Sequence, residues 1–180
     1  MNIKMILAGY GGQGALLAGQ LLSYAAMNED KHVTWFPSYG PEMRGGAASC
    51  SVIISDKRIG SPIIQAADAV LALNQPSFDK FEPIVKPGGF IIYNSSMTDS
   101  GLKESRGDIR YFGLALSDMA SDIGNLRVAN MIALGALNEI AKCAENDSII
   151  NALQLRLKNA ELVELNKIAI EAGKNAVKQG

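Results

Sequence analysis

The sequence predicts an α/β fold of three layers, with helices on both faces of a mostly parallel, Rossmann-like sheet and a helical C-terminal third. Short apolar runs bounded by glycine, proline or polar turns recur along the first part of the 180 residues, and helical patterns fit between them. Strands that alternate with helices are typical of parallel sheets. No repeat, low-complexity tract or linker divides the chain, so residues 1–180 are predicted to form a single domain.

The N-terminal pattern predicts three strands and one helix. Residues 3–8 are a short apolar run that ends at glycine, which predicts a buried strand, and residues 12–27 repeat leucine and alanine at helical spacing. Residues 32–36 are β-branched and aromatic, and residues 47–55 alternate before they become continuously apolar, so both predict strands. Residues 37–46 hold two prolines and three glycines, which predicts irregular structure.

Further strands are predicted at residues 70–73, 89–93 and, from a weaker pattern, 109–112, with a short helix near residues 76–81. From Leu126 onward the pattern is helical. Asp147 and Asn159 are predicted N-caps, because their side chains can accept from free amides of the next turn. The apolar face predicted for the last helix consists of Leu162, Leu165, Ile168, Ala169 and Ala172.

Composition excludes several kinds of function. Seventeen basic and eighteen acidic residues give a net charge of -1, which predicts neither nucleic-acid nor membrane binding. Cys50 and Cys143 are too few to ligate an iron–sulfur cluster and lie in apolar runs, so they are interpreted as buried small hydrophobes in a reducing cytoplasm. The only histidine, His32, is more consistent with a structural or exposed role than with catalysis, and no Ser-His-Asp or Cys-His set forms without it.

A glycine-rich motif, residues 9–14, follows the first strand and opens the first helix in the pattern G-x-G-x-x-G. Three interpretations remain open: a tight turn, a contact for an anion or phosphate at the helix N-terminus, and a dinucleotide site. The dinucleotide pattern requires an acidic residue at the end of the second strand, whereas Glu29 and Asp30 precede that strand. The candidate contact residues are Gly9, Gly11, Gly12, Gln13 and Gly14.

A second glycine-rich segment, residues 38–46, places one arginine between glycines and leads directly into a strand. A guanidinium has a planar fork that suits carboxylate or phosphate. The segment is either a solvated surface loop or a contact loop for an anionic ligand or a partner subunit. Its candidate residues are Ser38, Tyr39, Gly40, Pro41, Glu42, Met43, Arg44, Gly45 and Gly46.

A third motif, residues 125–131, begins the helical part of the chain. Arg127 and Asn130 are three positions apart on a predicted helix and would share a face. They either form part of a helix-cap region, with Asn125 as the cap, or border the same crevice as the glycine loops.

These three motifs together resemble the gamma subunits of 2-oxoacid:ferredoxin oxidoreductases, the family of the pyruvate:ferredoxin oxidoreductase gamma domain. The resemblance covers nearly the whole chain and is closest to the 2-oxoglutarate and 2-oxoisovalerate types. It implies a complex that converts a 2-oxoacid and coenzyme A to acyl-CoA, CO₂ and reduced ferredoxin. It also implies that this chain is accessory, carries no catalytic residue, metal or cofactor, and borders the coenzyme A access route.

The resemblance further implies that the cofactors lie in partner subunits: thiamine diphosphate, Mg²⁺ and [4Fe-4S] clusters. The expected partners are alpha and beta subunits, a delta ferredoxin-like subunit and ferredoxin as electron acceptor, and the isolated chain would expose a face open to homo-oligomer formation. Two alternatives stay open. One is a free-standing Rossmann-type NAD-dependent oxidoreductase, and the other is the related indolepyruvate oxidoreductase subunit.

Overall fold

The computed structural model describes residues 1–39, 47–99 and 104–178. It contains the predicted α/β fold, built on a six-stranded sheet. The strands are β1 (Asn2–Tyr10), β2 (His32–Tyr39), β3 (Ala47–Ser55), β4 (Ala67–Ala72), β5 (Val85–Asn94) and β6 (Arg110–Leu114). Their order across the sheet is β2-β3-β1-β4-β5-β6. The α-helices are α1 (Ala15–Met27), α2 (Gln75–Phe81), α3 (Leu116–Ile123), α4 (Ala129–Ala141), α5 (Asn146–Arg156) and α6 (Ala160–Lys178).

The sheet is mostly parallel, as predicted. β1, β4, β5 and β6 pair in parallel, and β3 runs antiparallel to both of its neighbours, β1 and β2. The carboxyl ends of five strands therefore meet at one edge of the sheet, which is where open α/β sheets bind their ligands.

Helices cover the two faces of the sheet unequally. The larger core cluster lies between one face of the sheet and residues of α1, α3, α4, α5 and α6. The opposite face holds a smaller cluster in which α2 contributes Phe78, packed edge-on against Tyr93. Met131, Leu134 and Leu137 of α4 are buried in the larger cluster.

Two predictions at element boundaries were wrong for identifiable reasons. The second strand continues through Pro37, Ser38 and Tyr39, which were predicted to be irregular. β2 is an edge strand, so a residue without an N–H is tolerated there. Asp147 lies inside α5 and does not cap it, since the N-cap position is Glu145. The other predicted cap is confirmed, because Asn159 accepts from the Leu162 N–H at 3.1 Å.

The predicted apolar face of the last helix was partly wrong. Ala169 is buried and Leu165 packs partly buried against the core, as predicted, but Leu162 and Ile168 are exposed. The other buried residues of α6 are Val163, Ile170 and Gly173. α6 crosses α4 so closely that a Cβ on Gly173 would lie 2.7 Å from the Ile132 carbonyl carbon. This close backbone contact sets which side of the helix is buried, and a count of large apolar residues does not detect it.

Candidate functional site

The first glycine loop joins the end of β1 to the start of α1 at the carboxyl edge of the sheet. Gly12 and Gly14 adopt φ values of +100° and +82°, which side-chain-bearing residues rarely take. For this reason α1 begins at Ala15 rather than at Gly12. Gly14 is the N-cap, no side chain caps the helix, and its first turn contains no acidic residue. The positive end of the helix dipole is therefore not neutralised by its own first turn.

The Gln13 side chain hydrogen-bonds this loop to the segment that follows the neighbouring parallel strand, β4. Its Oε1 accepts from the Tyr10 N–H at 2.6 Å and from Asn74 Nδ2 at 2.8 Å, and its Nε2 donates to the Leu73 carbonyl at 3.3 Å. A Cβ on Gly9 would lie 2.8 Å from Gln13 Oε1, so glycine at that position makes room for this side chain. Gly9 and Gln13 thus have a structural role in shaping the loop.

Asn74 connects the loop to the other face of the sheet. It is 1% exposed, and while its Nδ2 donates to Gln13, its Oδ1 accepts from the Ser77 N–H at 2.9 Å and caps α2. Sequence reasoning missed this residue as part of the site. The available signal was its position before Gln75-Pro76, where an N-cap is expected.

Asn130 is brought directly against the glycine loop. It is 4% exposed, its Nδ2 donates to the Gly14 carbonyl at 3.3 Å, and a Cβ on Gly14 would lie 2.8 Å from its Cγ. Asn130 Oδ1 is buried and has no hydrogen-bond partner among the described residues. The structure therefore joins the first and third motifs.

Arg127 does not share the environment of Asn130. It lies in a 3-10 helix, Leu126–Val128, that precedes α4, and it is exposed, while Asn130 is buried. Asn125 Oδ1 caps this turn by accepting from the Arg127 N–H at 3.0 Å. Both Arg127 and Asn130 nevertheless line one groove, described below.

Two adjoining cavities surround the N-terminus of α1. The first, called here the glycine-loop cavity, has a volume of about 390 Å³. It is lined by Tyr10, Gly11, Gly12, Gly14, Ala15, Leu16, Leu17, Gln20, Trp35, Tyr39, Ala47, Ala48 and Arg156. The second, called here the arginine groove, has a volume of about 330 Å³. It is lined by Leu17, Asn125, Arg127, Val128, Asn130, Leu153, Arg156, Leu157, Leu162 and Asn166.

Arg156 lines both cavities, and sequence reasoning did not single it out. It is the last residue of α5, and it reaches both cavities because α5 packs beside α1. No motif marks it, so only the tertiary structure reveals it. Arg156 is the one charged residue that lines the glycine-loop cavity within the described parts of the chain.

A third cavity, of about 250 Å³, lies at the same sheet edge beside α2. Ser38 and Tyr39, from the end of β2, line it together with Gly9, and Tyr39 also lines the glycine-loop cavity. Tyr39 is 57% exposed at the position where a dinucleotide site would need an acidic residue. The remaining candidates of the second motif, Gly40, Pro41, Glu42, Met43, Arg44, Gly45 and Gly46, lie outside the described residues.

The described residues at this edge include groups that are suited to anion binding. Free amides at a helix N-terminus and a nearby guanidinium favour negative charge. In the described residues no group of three or more His, Cys, Asp or Glu side chains is arranged to hold a metal ion. Burial raises the pKa of the Cys50 thiol to about 12 and that of the Cys143 thiol to about 12, which suppresses the reactive thiolate.

Comparison with known proteins gives matches along almost the whole chain. The family model for pyruvate ferredoxin/flavodoxin oxidoreductase matches residues 4–176. The ketoisovalerate oxidoreductase subunit VorA of Methanothermobacter thermautotrophicus is 37% identical over 174 residues, covering 96% of this chain and 36% of the relative. The 2-oxoglutarate synthase subunit KorC of Archaeoglobus fulgidus is 33% identical over 182 residues, covering 98% of this chain and 91% of the relative. The chain thus spans about a third of the first relative's length but nearly all of the second's.

Solved structures have the same fold. The gamma subunit of a keto/oxoacid ferredoxin oxidoreductase from Geobacter sulfurreducens superimposes with a TM-score of 0.84 at 31% identity, covering 99% of both chains. A 2-oxoglutarate:ferredoxin oxidoreductase from Magnetococcus marinus, solved with 2-oxoglutarate, coenzyme A and succinyl-CoA bound, gives a TM-score of 0.92 at 24% identity. The match covers 99% of this chain and 31% of that one. At that identity the second comparison concerns the fold alone.

Proposed function

The chain belongs to the pyruvate ferredoxin/flavodoxin oxidoreductase family, and from this premise we propose that it is the gamma subunit of a multi-subunit 2-oxoacid:ferredoxin oxidoreductase. The complex would oxidatively decarboxylate a 2-oxoacid to acyl-CoA, CO₂ and reduced ferredoxin. The observation that carries the proposal is similarity over nearly the full length of both KorC and the Geobacter gamma subunit.

The proposed role within the complex is accessory. The two buried thiols leave this chain without the cysteine ligands of an iron–sulfur cluster. Thiamine diphosphate, Mg²⁺ and [4Fe-4S] clusters would therefore be supplied by alpha, beta and ferredoxin-like delta subunits. Those partners would carry out bond cleavage and electron transfer.

We propose that the α1 N-terminus borders the coenzyme A route. The glycine-loop cavity combines the uncapped first turn of α1 with Arg156, and phosphate groups are suited to both. The residues of this chain would act by binding and orienting a phosphorylated cosubstrate. Gly12 and Gly14 would permit its close approach to the backbone, and Gln13 would hold the loop rigid.

Anaerobic purification of the tagged chain from its native cells tests the proposal. The expected preparation contains larger subunits, thiamine diphosphate and iron–sulfur absorption, and it reduces ferredoxin only when a 2-oxoacid and coenzyme A are present. Recovery of a colourless chain without partners would contradict the proposal. NADH binding that is lost in Gly11→Val would instead support the nicotinamide-dependent alternative.

A further inference from the structure

The N-termini of α1 and α4 meet at one contact. Asn130, in the first turn of α4, donates to the carbonyl of Gly14, which is the N-cap of α1. Neither N-cap, Gly14 or Val128, supplies a side-chain hydrogen bond, and neither first turn contains an acidic residue. The positive ends of two helix dipoles therefore converge here without a carboxylate from their own first turns.

Two arginines add to the positive charge at this junction. Arg156 lines both the glycine-loop cavity and the arginine groove, and Arg127 lines the groove. Among the described residues, no Asp or Glu lines either cavity, and no ion pair involves either arginine. The charge of two helix ends and two guanidinium groups is thus complementary to an anionic ligand.

The two cavities adjoin but offer different contacts. They share Leu17 and Arg156, so one ligand can extend from the glycine loop into the arginine groove. The glycine-loop cavity offers the backbone of Gly12 and Gly14, where no side chain keeps a phosphate at a distance. The groove offers Arg127, whose planar fork suits the oxygens of a further phosphate. A ligand with two separate anionic groups matches both cavities.

Asn130 adds a requirement for a hydrogen-bond donor in the groove. It lines the groove and is 4% exposed, and its Oδ1 is buried without a partner among the described residues. A fully ionised phosphate cannot donate a hydrogen bond to this oxygen, whereas a hydroxyl group can. The groove therefore suits a phosphate that has a hydroxyl group beside it, as in a sugar phosphate.

We propose that the arginine groove binds the phosphomonoester on the ribose of coenzyme A, while the glycine-loop cavity binds the diphosphate. Arg127 is then the residue that distinguishes coenzyme A from dephospho-coenzyme A, and Asn130 Oδ1 accepts from the ribose hydroxyl beside the phosphate. Arg156, which lines both cavities, contacts both anionic groups. This inference rests on the proposed function, because it assumes that the chain binds coenzyme A.

Assays of the assembled complex with coenzyme A and with dephospho-coenzyme A test the inference. We expect the wild-type complex to use coenzyme A with a kcat/KM at least about tenfold higher. Arg127→Gln should lower the kcat/KM for coenzyme A about tenfold and that for dephospho-coenzyme A less than about twofold, so that the preference is lost. Arg156→Gln should lower both values, because it alters both cavities. Arg58→Gln, at an exposed position outside both cavities, is the matched control, and thermal unfolding establishes that each variant is folded.

Calorimetric titration of the full chain tests the groove separately from the complex. Adenosine 3′,5′-bisphosphate should bind at least about tenfold more tightly than adenosine 5′-monophosphate, and Arg127→Gln should remove that difference. A preference that is absent in the wild type, or unchanged in Arg127→Gln, would overturn the inference while leaving the subunit assignment intact. A complex that turns over without this chain would instead refute the proposed function, and equal binding of the two nucleotides would then refute the groove as well.

Discussion

Replacement of Gly14 by alanine tests the contact that joins the glycine loop to α4. Gly14 and Gly12 both have positive φ, so a Cβ at either position costs about 1–2 kcal/mol of backbone strain. A Cβ at Gly12 would meet nothing within 4 Å, whereas one at Gly14 would lie 2.8 Å from Asn130 Cγ. Gly12→Ala is therefore a matched control that isolates the packing contribution.

The additional cost at Gly14 follows from the burial of Asn130. Because Asn130 is 4% exposed, its amide cannot swing into solvent, and the overlap adds about 1–3 kcal/mol. If the amide is displaced, its bond to the Gly14 carbonyl is also lost, at about 1 kcal/mol. We expect Gly14→Ala to lower the free energy of unfolding by about 2–5 kcal/mol and Gly12→Ala by about 1–2 kcal/mol.

Urea unfolding followed by fluorescence of Trp35, the single tryptophan, measures both values. Repeating Gly14→Ala in an Asn130→Ala background should reduce its cost toward that of Gly12→Ala, because the clashing amide is gone. Equal costs for Gly12→Ala and Gly14→Ala in the wild-type background would refute the reasoning.

Four further predictions concern the packing of α6 against α4, the two cysteine thiols, the hydrogen-bonded carboxylate of Glu29 and the second motif. Gly173→Ala should unfold or strongly destabilise the chain in thermal denaturation, because its Cβ would meet the backbone of α4; a wild-type melting temperature would contradict the close crossing. Cys50 and Cys143, whose pKa burial raises to about 12, should resist iodoacetamide at neutral pH in the native protein and react after denaturation, as mass spectrometry would show. Partial burial raises the pKa of Glu29, but its hydrogen bonds outweigh this and leave the pKa below its ordinary value. The ionised carboxylate of Glu29 therefore stabilises the fold above the unfolded-state pKa, and this stabilisation is lost as pH falls through the folded-state pKa. In Glu29→Gln, the free energy of unfolding measured by urea denaturation should fall less steeply as the pH is lowered. Arg44→Ala should raise the KM for coenzyme A or weaken assembly while the chain stays folded, at a cost of about 2–5 kcal/mol if its contact is desolvated and bidentate; unchanged assembly and KM would count against it.

Local pattern was enough to predict most of the sheet. Each predicted strand overlaps an observed one, because short apolar runs between breakers identify buried strands independently of their partners. The end of β2 was missed because the acceptability of Pro37 depends on the strand lying at an edge, which is a property of the whole sheet. Part of the buried face of α6 was missed for a similar reason, since Gly173 sets it through contact with α4.

The candidate site was predictable where backbone geometry determines it. Gly12 and Gly14 have the positive φ values that a tight strand–helix turn requires, and the motif spacing indicates such a turn. Arg156 was not found, since it reaches the site from a distant part of the chain and belongs to no motif. Asn74 has a helix-cap signal before Gln75-Pro76, but its contact with Gln13 depends on how the two segments pack. Whether the glycine residues, Arg127 and Asn130 contact a ligand or a partner stays a prediction.

An omission and add-back assay tests the central claim most directly. The alpha, beta and ferredoxin-like subunits are purified anaerobically without this chain, and 2-oxoacid-dependent ferredoxin reduction is measured in the presence of coenzyme A before and after the chain is added. The account predicts low activity without the chain and restored activity at a one-to-one ratio, with no activity from the chain alone. Equal activity with and without the chain, and no binding between them, would contradict it.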